Sequence, residues 1–283
     1  MTDHSQLFPG KQFISTVLEA LNKKTHMSGT LARVYLMRAA MAGAIIGIMY
    51  LTEFAVFGAF GHGALEGIGH FVGAAVFGFA LVFIYFSKSE LLTSNMMIVT
   101  VGRYYRTVSA LRGARLLFLC YLGNFLGGVA VALAVWGSTL TNGAIGDAMD
   151  ATVDSKLAYM SEGIAGWGDL FIRAILCNFM INLGMLMVYN GMIKNDLMKA
   201  VAMISTVFVF AFVGFEHSVA NTVLFSIAAL DGGIAFGPAL GNLIIVLAGN
   251  FVGGGLLIGW YYAYANDSGR LLHKTGRGNF SHD

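Results

Sequence analysis

Charge is what this sequence has least of. Of its 283 residues, 11% are Asp, Glu, Lys or Arg, less than half the ~25% of an ordinary globular domain. Disorder, collagen and coiled coil are excluded on composition. A net charge of +2 is too small and scattered for nucleic-acid binding. Cysteine is nearly absent: Cys120 and Cys177 both lie in apolar runs, which excludes a secreted disulfide scaffold and makes a structural disulfide improbable. Reactive motifs are missing as well. There is no Walker loop, no glycine fingerprint after a strand, no Cys/His metal spacing and no Ser/His/Asp set. The 15 Met residues form no Met-x-x-Met repeat that would mark a copper path. No cofactor, metal or enzymatic activity is expected.

Apolar residues fill the space that charge leaves. They make up 57% of the chain, and the mean hydropathy is +0.72, enough for six or seven membrane helices of ~20 residues each. Long apolar stretches run Tyr35–Phe60, Phe71–Phe86, Leu116–Trp136, Leu170–Met192, Leu197–Val213 and Leu240–Ala265. Two shorter ones, Met96–Val101 and Ser218–Leu230, cannot cross ~30 Å of hydrocarbon alone. Each follows an apolar run after a polar cluster, so the economical reading is six spans, the second and fifth broken. An all-α membrane protein is expected.

Before the first span, Phe13, Ile14, Val17, Leu18 and Leu21 recur at helical spacing between Lys11 and Lys24. This is an amphipathic helix lying either along the interface or docked on the protein's own surface. If the N-terminus is inside, 14 of the 17 Lys and Arg residues are inside too, while the third-to-fourth connection carries Asp147, Asp150, Asp154, Glu162 and Asp169. The positive-inside pattern then puts both termini in the cytoplasm. The expected organisation is a cytoplasmic N-terminal helix over 1–33, a transport domain over 34–265 with repeats at about 34–136 and 168–265, and a cytoplasmic tail over 266–283.

The halves repeat. Gly123-Asn124-Phe125-Leu126-Gly127-Gly128 matches Gly249-Asn250-Phe251-Val252-Gly253-Gly254 at an offset of 249 − 123 = 126. The two interruptions share that offset, for Glu90 and Glu216 (216 − 90 = 126) and for Asn95 and Asn221 (221 − 95 = 126). Three spans per half invert the second copy, and inverted repeats with matched broken helices point to a midplane translocation site. Glu90 and Glu216 are expected to be structural, bonding donors at the symmetry-related break, with Glu90 capping the half-helix near Leu92. Asn95, Asn221, Asn124 and Asn250 are expected to hold backbone. Thr93 offers a hydroxyl that can donate or accept. His217 is the one histidine deep in a span, and an intramembrane ionisable group is by default a functional-site hypothesis. Its bland alternative is a neutral ring satisfied by local hydrogen bonds.

These residues resemble the formate/nitrite transporter family of pentameric, aquaporin-like channels from about Tyr35 to Ala265. The most specific element is Gly214-Phe215-Glu216-His217-Ser218-Val219-Ala220-Asn221. Glu90-Leu91-Leu92-Thr93-Ser94, Leu176-Cys177-Asn178 and the sixth-span Gly-Asn motif support it. The resemblance implies a homopentamer in the cell (inner) membrane, with protons, the lipid bilayer and a small anion or weak acid as partners. It implies that His217 is the central pore histidine and that Thr93 faces it. Phe77 and Leu81 fall at constrictions, Phe210 at the cytoplasmic one and Leu91 at the periplasmic one. Asn178 joins the loop-holding set. The implied cargo is formate, nitrite, lactate or a similar anion, protonated near the histidine and moved by a channel or proton-coupled carrier. Family members usually carry a vestibule lysine about sixteen residues before the fourth-span Asn. Here that position is Glu162 (178 − 16 = 162), so Lys156 or Arg173 must substitute, Arg173 otherwise being an interfacial anchor. The acidic loop leaves a neutral-solute or cation pore as the alternative.

Overall fold

The computed structural model describes residues 8–61 and 63–270. Helix α1 (Lys11–Thr30) leads into α2 (Ala32–Phe60). The second span is α3 (Glu66–Phe77) plus α4 (Phe79–Phe86), and after a break α5 (Leu92–Tyr104) returns to the surface. Helix α6 (Ala110–Trp136) closes the first half, and α7 (Ala144–Ser161) connects to the second. There α8 (Gly163–Tyr189) is followed by α9 (Asp196–Val213), a second break and α10 (Ser218–Asp231). The sixth span is α11 (Phe236–Asn250), a π-helical stretch Phe251–Trp260 and α12 (Tyr261–Ala265). Six helical stretches are long and apolar enough to cross a membrane, and no strand occurs among the described residues. The architecture is two inverted three-span repeats with broken second and fifth helices.

The Gly-Asn motifs explain how the halves close. A Cβ at Gly127 would collide with the Ala40 carbonyl, and one at Gly253 with that of Ile175, so these glycines let α6 and the sixth span lie backbone to backbone against α2 and α8. Two spans begin on side-chain caps. The Ser109 side chain accepts from Arg112 N at the start of α6, and that of Asn195 from Met198 N at the start of α9.

Of the two readings left open for the first helix, the structure shows docking: in α1 Phe13 and Val17 are fully buried, Phe13 meets Tyr262 edge-on at 5.8 Å, and Leu21 fills the space that a side chain at Gly102 would need. One element differs from expectation. The acidic connection is not a loop but contains α7, whose buried face, Gly146, Met149, Val153 and Lys156, recurs at helical spacing. Its aspartates lie off that face. Of the expected tail, 271–283 lies outside the described residues.

Candidate functional site

Both breaks are held by an asparagine from the third span of their own half. Asn124 Oδ1 accepts from Leu92 N at 3.0 Å, and its Nδ2 donates to the carbonyls of Ala39 and Glu90, each at 2.8 Å. Asn250 repeats the pattern: its Oδ1 accepts from Ser218 N at 2.9 Å, and its Nδ2 donates to the carbonyls of Ala174 (2.8 Å) and Glu216 (2.9 Å). One amide thus serves the first donor of a half-helix and the break carbonyl that no helix can satisfy, and it ties both to a carbonyl of the neighbouring span, Ala39 or Ala174.

The expected roles of four other polar residues are corrected. Glu90 does not cap α5, whose first N–H goes to Asn124, and neither glutamate bonds the opposite break. Glu90 pairs with Lys24 of α1 and accepts from Asn95 Nδ2 at 3.1 Å. Glu216 accepts from Lys156 Nζ of α7 at 2.9 and 2.8 Å and from Asn221 Nδ2 at 2.6 Å. Asn95 and Asn221 therefore orient carboxylates, and neither binds backbone. Asn95 Nδ2 also reaches the Tyr35 hydroxyl, and Asn221 Nδ2 reaches Asn242 Oδ1, each at 3.0 Å. Burial opposes the charge on Lys156, but Glu216 outweighs it and holds the ammonium above the ordinary lysine value.

His217 stands at the start of α10. Its Nδ1 accepts from Ala220 N at 3.0 Å, so the neutral ring that keeps this cap carries its hydrogen on Nε2. Nε2 lies 3.2 Å from Thr93 Oγ1. With the imidazole donating, the hydroxyl hydrogen of Thr93 is left to be offered elsewhere. The Thr93 carbonyl accepts from the Nδ2 atoms of Asn178 and Asn182, both at 3.2 Å, and Asn178 Nδ2 donates to the Asn250 carbonyl at 2.7 Å. Asn178 thus ties the first half-helix to the sixth span. Its companion Asn182 was missed in the sequence, although it follows one turn later on the same face.

Two cavities meet at this ring. The larger, about 540 Å³, opens toward α7 and is lined by Tyr50, Glu53, Lys156, Arg173 and the second break. The smaller, about 10 Å³ and wholly apolar, lies toward the α1 side among Ile46, Leu81, Ile84, Leu91, Ile181 and Val207. Phe77, Phe210 and His217 border both. Phe210 stacks on His217 at 6.0 Å between centroids and meets Phe77 edge-on at 6.1 Å.

Phe77 and Phe210 therefore stand at the junction of the two cavities, whereas Leu81 and Leu91 line the α1-side pocket alone, because α4 runs on from Phe77 toward the surface where Glu90 N bonds the Arg38 carbonyl. Thr93 is fully buried and lines neither cavity, so it reaches the route only through the imidazole. Of the vestibule candidates, Glu162 lies off the lining at the end of α7, Lys156 is buried against Glu216, and Arg173 projects into the cavity. Arg173 is not an unpaired charge: Nε donates to Asp169 at 3.0 Å and an NH1 hydrogen to the Gly214 carbonyl at 3.0 Å.

A family model described as Formate/nitrite transporter matches residues 11–264. The chain is 31% identical over 225 residues to the formate channel FocA of Haemophilus influenzae, covering 71% of this chain and 76% of that one. Among solved structures it is similar to an FNT family ion channel, with a TM-score of 0.76 and 26% identity, over 89% of this chain and 98% of that chain. It also shares the fold of a pentameric formate channel with formate bound, with a TM-score of 0.67 and 23% identity, over 82% and 96% of the two chains.

Proposed function

This chain belongs to the formate/nitrite transporter family, a family of multi-pass membrane transporters and not of enzymes, and from that premise we propose that it is a homopentameric channel or proton-coupled transporter for small monovalent weak-acid anions. Formate, nitrite, lactate and similar short monocarboxylates are the substrate class, the cell membrane is the location, and both termini are cytoplasmic. The α7-side cavity is then periplasmic.

The observation that carries this reading is the ring of Phe77, Phe210 and His217 between a wide cavity lined by charged side chains and a small apolar pocket. A bare carboxylate would lose its hydration there at a cost of several kcal/mol or more, whereas a neutral acid would not. Arg173, whose guanidinium is shared with Asp169 and the Gly214 carbonyl, offers the anion hydrogen-bond donors on the way to the ring. At the ring a passing oxygen competes with Thr93 Oγ1 for the Nε2–H of His217 and takes its hydrogen bond. A proton taken up on the periplasmic side crosses with the anion and is lost on the other. The cation-pore alternative leaned on Glu162 and the acidic connection, of which only Asp147 lines the cavity.

The test is uptake of labelled formate, nitrite, acetate and lactate into liposomes at acid and near-neutral pH. Wild type is expected to carry small weak acids faster at acid pH. His217→Phe is expected to lose pH-dependent selectivity while still assembling. Unchanged pH dependence in that variant, or cation flux in wild type, would overturn the reading.

A further inference from the structure

One ionisable group on the cavity wall is unused by this account. Glu53, about two turns before the end of the apolar helix α2, is 5% exposed. It lines the α7-side cavity and makes no hydrogen bond or ion pair among the described residues. Its stem lies against α3, where a Cβ at Gly73 would come within 3.3 Å of Glu53 Cγ. One helical turn before it is Tyr50, whose ring stacks on Phe54 at 4.6 Å and contacts Phe77 of the constriction at 5.4 Å. The carboxyl group therefore sits about one turn above the narrow ring, on the side from which an anion arrives.

We propose that Glu53 is the proton donor of this cavity, holding a carboxyl hydrogen that it gives to a weak-acid anion before the acid passes Phe77 and Phe210. This rests on the weak-acid reading above. The surrounding charges support it. Lys156 acts on Glu53 through space, but its ammonium already donates to both oxygens of Glu216. Arg173 is likewise matched by Asp169. No cation is left over among these for a second buried carboxylate, and an uncompensated one in an aromatic-lined cavity within a span is strongly disfavoured. The other ionisable groups around the cavity are Glu66 and His70 of α3, Asp147 and Tyr159 of α7, and His217, whose Nδ1 is engaged by the α10 cap.

In the step, the Glu53 O–H bond breaks as the proton moves to the anion, leaving a carboxylate and a neutral acid. The acid crosses the ring, and Glu53 recovers a proton from the aqueous phase that opens into the cavity. No oxidant or further reactant is needed.

The experiment compares wild type with Glu53→Gln, both as full-length protein in liposomes, using labelled formate uptake at acid and near-neutral pH. The variant preserves shape and hydrogen bonding but carries no labile acid proton. Its flux is expected to fall roughly a hundredfold at near-neutral pH, the lower end of what a positioned acid contributes, and to recover toward wild type at acid pH. In difference infrared spectra, wild type at near-neutral pH is expected to show a protonated-carboxyl band that the variant lacks. Wild-type flux in the variant at both pH values, an equal loss at both, or no such band would each overturn the proposal. If wild type carries no weak acid, the transport reading fails by itself, and the infrared band still decides whether Glu53 holds a proton.

Discussion

The two breaks share a scaffold but not a surface. At an offset of 126, Lys88 and Gly214 (214 − 88 = 126) both turn through the left-handed region, with φ of 57° and 77°. The Asn124 and Asn250 bonds then agree to within 0.1 Å at each position. Each glutamate takes a lysine from a helix outside the span core, α1 in one half and α7 in the other. The side chains that meet at the centre are those in which the halves disagree. Leu91 corresponds to His217 (217 − 91 = 126), and Thr93 to Val219 (219 − 93 = 126). Duplication supplied the support, and divergence placed one imidazole and one hydroxyl 3.2 Å apart across the pseudo-axis.

The largest effect is expected where the comparison is tightest. Asn124→Leu and Asn250→Leu each strip the partner from one backbone donor and one break carbonyl, at about 1–3 kcal/mol per orphaned group. Both should prevent recovery of assembled protein, read by size-exclusion chromatography in detergent. Survival of one but not the other would show that the halves are not energetically equivalent.

Next come the lysines. Lys156→Met and Lys24→Met each leave a buried carboxylate unpaired, a loss of about 3–5 kcal/mol in thermal unfolding. The Lys156 variant should lose more, because its pair has side-chain exposures of 10% and 5% against 16% and 6% for Lys24–Glu90. Adding Glu216→Gln to Lys156→Met should restore part of that loss. Since pairing raises the Lys156 pKa, its contribution is full below the ordinary lysine value and disappears only as pH rises through the raised one. A pair that weakens between neutral and mildly alkaline pH would contradict this.

The smallest effect separates twin positions. Thr93→Val leaves the His217 Nε2–H without its acceptor, and at about 1 kcal/mol it should slow flux roughly fivefold with little change in stability. Val219→Thr, on a buried position that lines neither cavity, should leave flux and its pH dependence unchanged. Equal losses in the two variants would erase the distinction between the breaks.

Much of the fold was legible because membrane burial imposes long apolar runs, and because the repeat shows itself in residues that cannot vary freely. Gly127 and Gly253 permit backbone contact, and Asn124 and Asn250 satisfy a broken helix. His217 stood out as an ionisable group in an apolar setting. Helix α7 was hidden because Asp147, Asp150 and Asp154 read as a loop, although its buried face already recurred at helical spacing. Glu53 was hidden for the opposite reason, as a single carboxyl inside a convincing apolar run. Counting from a break placed Phe210 and Leu91 along the route, but only the packed chain separates Phe210, which borders both cavities, from Leu91, which lines the apolar pocket alone.

The number of spans, the duplication, the two breaks and the lone central histidine follow from sequence alone, because hydropathy and backbone hydrogen-bond demand are local properties. The partners of Glu90 and Glu216, the docking of α1, the sides of the ring and the isolation of Glu53 were settled only by the packed chain. Each depends on which groups from distant segments share one desolvated volume, and no spacing along the sequence encodes that.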